Sequence, residues 1–383
     1  MEQAHGYGRR IGAALSALLL AGATAACGSD GESGTDTSGG AGGATSAAVE
    51  TAMKTTGEFS VPDAKIDTSS LKGKTIYYVP LSQQVPAFSV TAQNLSEAAA
   101  LVGMKVQVCN GGANPSQISA CVDQAVGARA GAIIGDSFPY GMAQNSLDKA
   151  VAANVPVLIT DQIRPEGTGD TTKVAYLPGA VTQQEVLAEW IAADSGGKAQ
   201  VVISMLQDSP SAISYVKDYA MPKYEEVCAG CKVTINEVSA ANFQRITPTT
   251  SAALLQNPNA TYLQVEFEDF LQPSLDAVQQ AGRSSAMKVA VSGATISGLG
   301  VLKGDGPVKA ALALDFPYQG WASLDQAMRM MLGEKPQEYR TPVRLFTSAN
   351  IDGIRLTAEA QSSGEWFGTP SYEEEFKALW AGN

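Results

Sequence analysis

The sequence predicts an α/β protein built of two doubly wound parallel-sheet lobes. From Lys72 onward, short apolar runs rich in Val, Ile and Ala alternate with amphipathic stretches of helical period, the pattern of parallel strands joined by crossover helices. The alternation occurs twice, with strand signals between Thr75 and Asp161 and a second set between Ala199 and Ser292. The roughly 330 residues that follow the N-terminal segment are enough for two ordinary cores.

The first strand is Thr75 to Pro80, a continuous apolar run of the kind buried on both faces of a parallel sheet. The helix after it puts Ala92, Leu95, Ala99 and Val102 on one face and stops at Gly103, a residue suited to a helix end. Lys105 to Cys109 leads into a helix through Ile118, Val122 and Ala125. Gly131 to Asp136 leads into one through Leu147 and Val151, and Val155 to Asp161 closes the set. In the second set, strands lie near Ala199 to Leu206, Lys232 to Val238, Ala260 to Glu266 and Met287 to Ser292. Their helices run through Tyr215 to Val227, Pro248 to Gln256, Phe270 to Ala281 and Ile296 to Lys303. Two more strands, Val308 to Asp315 and Val343 to Ala349, flank a helix from Tyr318 to Leu332. Ligands of open parallel sheets sit beyond the carboxyl ends of the strands, and two such sheets joined by a hinge form a cleft that closes on a small solute.

The N-terminus has the order of an export signal: Arg9 and Arg10, an apolar run from Ile11 to Ala23, then the small residues Thr24, Ala25 and Ala26. The apolar run is too short to span a bilayer. Cys27 follows directly, and the junction resembles a bacterial lipoprotein lipobox, with Thr24 where such boxes usually carry Leu. The resemblance implies that residues 1–26 are a signal peptide and that Cys27 is lipidated, with more than one acyl chain needed for stable anchoring. An ordinary secretory cut after Ala25 or Ala26 would instead leave Cys27 as an unpaired thiol. From Gly28 to about Thr56 the chain offers almost nothing to bury, so residues 27–71 are expected to be a flexible linker.

Composition excludes several function classes. With 26 Lys and Arg against 38 Asp and Glu, a net charge of −12, and no basic cluster, nucleic acid is not an expected partner. The only histidine, His5, lies in the segment expected to be removed. Ser-His-Asp and Cys-His nucleophiles and His-ligated zinc are therefore ruled out for the mature chain. The even count of Cys109, Cys121, Cys228 and Cys231 in an exported protein favours two disulfides, Cys109 with Cys121 and Cys228 with Cys231, other pairings remaining open. The Cys228-Ala-Gly-Cys231 spacing also fits a redox motif, but it follows a helical stretch rather than opening one, which favours a structural clamp. Ser214-Tyr215-Val216-Lys217 has the S-x-x-K spacing without its partner motifs, and Gly298, Gly300 and Gly304 have the wrong spacing for a dinucleotide fingerprint. No cofactor or metal is expected.

Several segments, in this order, resemble the ribose- and galactose-type periplasmic binding proteins, the type I solute-binding proteins of ABC transporters, over roughly Lys72 to Ile351. They are Thr75 to Val79 through Phe88, Ala132 to Ile134, Val155 to Asp161, Leu254 to Pro258, Ser274 to Gly282 and Ala311 to Gly320. The resemblance implies a type I periplasmic binding protein fold with a three-stranded hinge, crossed near Leu177 to Gly179, Asp315 to Pro317 and Phe346 to Asn350. It places residues 72–177 with 316–345 in an N-terminal lobe, and 178–315 with 346–383 in a C-terminal lobe and tail. It further implies a monomeric, non-enzymatic receptor on the outer face of the cell membrane, as Gram-positive lipoproteins are, presenting a small solute to separate permease and ATPase subunits. Two rivals stand beside it: a sensor whose cleft reports to a histidine kinase or chemoreceptor, and an exported hydrolase. The missing histidine and G-x-S-x-G elbow count against the hydrolase.

By the same resemblance Phe88 and Phe243 match the aromatics that sandwich the ligand, Asp161 the carboxylate after the fourth strand, and Gln84 an amide near the first loop. Asp136 is a further candidate at a strand end. The sequence departs from the family at Gln162 and Ser214, where arginines are expected, at Phe267 for an asparagine, at Gly293 for an aspartate and at Asp315 for a hinge glutamine. Exchanging charged forks for Ser, Phe and Gly makes the site larger and more apolar. With Glu266, Glu268, Asp269 and Asp315 near the same strand ends, the solute is expected to be neutral or cationic, sugar-like, a polyol or aromatic. Arg164 or Arg245 turned inward would reverse that preference.

Overall fold

In the computed structural model, which describes residues 46–56 and 59–381, the expected parallel strands assemble into two separate sheets. The first contains β1 (Thr75–Pro80), β2 (Lys105–Val108), β3 (Ala132–Asp136), β4 (Val157–Thr160) and β5 (Val174–Leu177) in the order β2-β1-β3-β4-β5, all parallel. The second contains β6 (Gln200–Leu206), β7 (Lys232–Val238), β8 (Tyr262–Val265), β9 (Lys288–Ser292), β10 (Val308–Leu314) and β11 (Val343–Phe346) in the order β11-β10-β9-β8-β6-β7. Here only β11 runs antiparallel, on β10.

Both sheets are covered on both faces, which is why their central strands read as unbroken apolar runs. In the N-terminal lobe the helices Pro86–Leu101 and Phe316–Leu332 cover one face through Leu95, Ala99, Trp321 and Met328, and Pro115–Gly127 and Gln144–Ala152 cover the other through Ile118, Val122 and Leu147. In the C-terminal lobe Leu187, Ile191 and Val216 pack on one face, and Leu254, Val278 and Leu299 on the other. Gly103 adopts φ +70, the left-handed conformation that ends the preceding helix.

Between Thr75 and Phe346, β5 and the helix Gln183–Asp194 carry no matching sequence signal. β5 is an edge strand whose residues alternate between buried and half-buried, so it shows no apolar run. The helix Gln183–Asp194 buries Gln183 and Gln184 along with Leu187, Trp190 and Ile191, and a helix buried on more than one side loses the amphipathic period.

The chain passes from the first sheet to the second between Leu177 and Gln183 and returns at Asp315. It crosses again within residues 333–342, because Val343 already pairs with Leu314. The crossing expected at Phe346 to Asn350 is therefore absent, and 343–345 belong to the C-terminal sheet.

The expected assignment of 346–383 to the C-terminal lobe also needs correction. Trp366 and Phe367 do lie in that core, but Tyr372, Phe376, Leu379 and Trp380 are buried in the core of the N-terminal lobe. The reason is an aromatic face: Tyr372, Phe376 and Trp380 recur at helical spacing along Tyr372–Trp380 and meet Tyr318 and Trp321, with Trp380 stacked on Trp321 at 5.4 Å between centroids. Beneath them the buried Asp325 accepts hydrogen bonds from Arg329 Nε (2.7 Å), Tyr339 Oη (2.6 Å) and Trp380 Nε1 (2.6 Å), and Arg329 reaches Ala64 O at 2.7 Å.

The linker expectation fails from Ser46 onward. Ser46 caps the helix Ala47–Met53 and donates to Glu189 at 2.8 Å, while Val49 and Ala52 are buried in the C-terminal lobe. Phe59, Ile66 and Leu71 pack in the N-terminal lobe. A few well-spaced apolar residues are enough to dock this segment, and average composition does not register them. The expected signal peptide 1–26, the expected lipidation site Cys27 and the expected linker up to residue 45 lie outside the described residues.

Both expected disulfides are present. Cys109–Cys121 ties the end of β2 to the helix Pro115–Gly127, and Cys228–Cys231 joins the end of the helix Met221–Val227 to β7.

Candidate functional site

The carboxyl ends of the strands in both lobes converge on one cavity of about 450 Å³. The N-terminal lobe contributes Ser82, Gln84 and Phe88 after β1, Ser137 after β3, and Asp161 and Gln162 after β4. The C-terminal lobe contributes Ser209 and Tyr215 after β6, Phe243 after β7, Phe267 to Phe270 after β8, and Gly293 and Thr295 after β9. Gln183 and Phe316 enter from the chain crossings.

The lobes are closed on each other. Ser211 Oγ accepts the Ile163 N–H at 2.9 Å and donates to Gln162 Oε1 at 3.0 Å, while Gln162 Nε2 holds Asp161 O at 2.9 Å. Gln162, a candidate ligand contact, thus lines the cavity but commits its Oε1 to an interlobe latch, while its Nε2 is tied to the backbone of its own lobe.

Asp161 and Ser137 both adopt positive φ, +56 and +60, a strained choice for residues with a Cβ that turns each side chain sharply at its strand end. Gly179 permits this turn, since a Cβ there would lie 2.5 Å from Asp161 Oδ1. Asp161 Oδ2 accepts from Gln319 Nε2 at 2.7 Å and from Ser137 Oγ at 3.4 Å. Behind it lies Asp136, fully buried and bonded to the Tyr78 hydroxyl. Burial, and then the adjacent Asp136 carboxylate, push the Asp161 carboxyl well above its usual range; burial likewise raises Asp136.

On the opposite rim Phe243, Phe267 and Phe270 form a ring cluster, with centroids 6.4 and 6.3 Å apart. Phe243 is 46% exposed, whereas Phe88 across the cleft is nearly covered. Glu268 accepts from the Thr295 and Gly298 N–H groups and from Thr295 Oγ1 (2.8 Å), so it caps the helix Ile296–Lys303 rather than its own. Glu266 lies outside the lining: fully buried, it accepts the Leu206 N–H at 2.6 Å.

Seven of the ten sequence candidates line the cavity: Gln84, Phe88, Asp161, Gln162, Phe243, Phe267 and Gly293. Three do not. Asp136 stands one layer behind Asp161. Ser214 points away and donates to Asp218 at 2.6 Å, while its neighbour Tyr215 faces the cavity within a π-helical stretch, Tyr215–Ala220, just before Pro222. Asp315 caps the helix Phe316–Leu332 at the hinge, accepting the Tyr318 N–H at 3.0 Å, and burial pushes its carboxyl up to about 7. Arg164 pairs outward with Asp170 at 2.6 Å, and neither it nor Arg245 lines the cavity.

Sequence reasoning did not single out Gln183, Tyr215, Phe270 or Phe316 as site residues. Gln183 had no available signal, because its helix was not legible. It is held in place by Gln184, which donates to Glu266 O and Ser292 Oγ, both at 2.9 Å. Among the described residues no cluster could hold a metal ion, and no helix is long and apolar enough to cross a membrane.

Two doubly wound lobes, joined by repeated crossings and closed over a cavity at their strand ends, define a type I binding-protein fold. The chain belongs to the periplasmic binding protein family, whose domain, described as "Periplasmic binding protein domain", matches residues 76–335. Solved structures agree in fold. An ABC transporter solute-binding protein from Agrobacterium vitis, bound with alpha-D-tagatopyranose, superposes with TM-score 0.65 at 20% identity, covering 73% of this chain and 96% of that one. A 5-methylthioribose transporter solute-binding protein from Thermotoga lettingae gives 0.66 at 16% identity over 84% and 99%. The Caulobacter myo-inositol binding protein gives 0.64 at 21% identity over 74% and 97%. No curated protein sequence matches the chain.

Proposed function

We propose that the protein is the solute-capturing component of an ABC importer, held at the outer face of the membrane by lipidated Cys27 and delivering a small neutral or cationic solute to separate permease and ATPase chains. The observation that carries this reading is the cavity of about 450 Å³ between the lobes, lined from both sides and latched through Gln162 and Ser211. Such a cleft surrounds a ligand only when shut, so binding and closure are one equilibrium. The structural neighbours described as ABC transporter solute-binding proteins support the transport role. Phe88 and Phe243 supply aromatic faces from opposite lobes, and Asp161 and Gln84 supply hydrogen bonds. The chain binds as a monomer and leaves its ligand unaltered.

The test is solution scattering with and without a ligand found by thermal-shift screening, since a ligand bound only to the native state raises its melting temperature. Saturating ligand should reduce the radius of gyration, and Phe88→Ala should weaken binding about 10- to 100-fold, the loss of one stacked ring. Binding with no change in dimensions and no effect of Phe88→Ala would place the ligand elsewhere.

A further inference from the structure

We propose that the ligand of this cleft is a small organic cation, an amine whose apolar or aromatic body lies among the rings and whose charged nitrogen sits at the Asp161 end. This deepens the receptor reading and rests on it.

The first argument is charge. Asp161, Glu268 and Asp269 line the cavity, Asp136 stands directly behind Asp161, and no lining residue is Lys, Arg or His. An anionic ligand would have no cationic partner in the lining and would meet the carboxyl groups of Asp161, Glu268 and Asp269. Asp161 has only the neutral donors Gln319 and Ser137, and burial beside Asp136 disfavours its charged form, so a bound cation is the counter-charge that would favour ionisation there.

The second argument is the balance of polar and apolar wall. Phe88, Phe243, Phe267, Phe270, Phe316 and Tyr215 enclose the cavity. Much of the polar lining is already committed: Gln162 to the latch, Ser209 to Gln162, and Glu268 to Thr295 and Gly298. A sugar carries a hydroxyl on nearly every carbon, and each left without a partner in a closed site costs about 1–3 kcal/mol. An amine with a hydrocarbon body makes few such demands, and aromatic faces attract a cation directly.

The third is independent of both. Gln183 is only 3% exposed, borders the cavity, and its carboxamide makes no hydrogen bond with any described residue. An amide at the cavity wall with no protein partner is open to a ligand group, and its carbonyl oxygen adds a neutral acceptor for an ammonium beside the stronger, charge-assisted acceptor at Asp161.

The experiment compares 2-phenylethylamine, tyramine and choline with 2-phenylethanol, the neutral isostere, and with D-tagatose and myo-inositol, by thermal shift and titration calorimetry on the wild-type protein. At least one cation should bind, with 2-phenylethylamine about tenfold or more tighter than 2-phenylethanol. Asp161→Asn should abolish that difference, and the wild-type isostere comparison stands even if this variant does not fold. Equal binding of amine and alcohol, a polyol response with all cations inert, or no response to any cation overturns the cation assignment. In those cases compaction on binding any other ligand would keep the receptor reading alive. A cation bound without compaction would overturn the receptor reading on which the assignment rests.

Discussion

Replacing Trp380 tests whether the C-terminal helix is part of the N-terminal lobe. Trp380 is 5% exposed, stacks on Trp321, and donates its indole N–H to the fully buried Asp325. Trp380→Ala removes a buried ring, at about 3–5 kcal/mol, and also a hydrogen bond to a buried carboxylate, itself about 1.5–3 kcal/mol. Trp380→Phe keeps most of the ring and loses only that bond, so it should cost about 1.5–3 kcal/mol. Since a domain is stable by only about 5–15 kcal/mol, the alanine variant should remove a third or more of the stability of the N-terminal lobe. Urea unfolding followed by circular dichroism should then separate into two transitions, an early one for this lobe and a later one at the wild-type midpoint. A Trp380→Ala variant within about 0.5 kcal/mol of wild type, as an exposed residue would be, refutes the packing. So does a phenylalanine variant as damaged as the alanine one, because the ring would then contribute nothing.

Removing the Ser211 hydroxyl with Ser211→Ala breaks both its bond from Ile163 and its bond to Gln162. The ligand-free protein should be more open in scattering, with affinity reduced about 5- to 100-fold for one or two lost bonds; unchanged dimensions and affinity would show that the latch does not hold the lobes. The pH dependence of stability follows from Asp315, whose carboxyl moves from the ordinary 3.8 up to about 7 because it is buried. The folded protein therefore keeps a proton that the unfolded chain releases, so this contribution is full below the unfolded value and is lost as pH rises through about 7, with Asp161 shifted in the same direction. Asp315→Asn retains an oxygen for the Tyr318 N–H and should lessen the fall in melting temperature between about pH 5 and about pH 7.5; a slope identical to wild type would exclude Asp315 as its source.

Several site residues at the ends of legible strands could be named from the sequence, though Tyr215 and Phe270 could not. Asp161, Gln162, Phe267 and Gly293 were singled out by the family resemblance, and they follow strong apolar runs whose ends meet the cavity. Ser214 failed by a single position, because the helical phase at the start of the π-helical stretch Tyr215–Ala220 turns Tyr215 to the cavity in its place. Gln183 was not legible, since its helix is buried on several sides and shows no amphipathic period.

The order of apolar runs and amphipathic stretches by itself pointed to two parallel-dominated sheets, and the even count of cysteines at short spacing favoured the two local disulfides, since each depends on residue type and near-neighbour spacing. Only the tertiary structure decided that Trp380 joins the core of a lobe whose strands end far before it in sequence, that Phe59 meets Tyr318 and Tyr372 there, and that Gln162 holds the lobes shut instead of facing the cleft unpaired. Those contacts join segments hundreds of residues apart or on different lobes. Their partners are chosen by shape and by the need to satisfy every buried polar group, which no local pattern in the chain records.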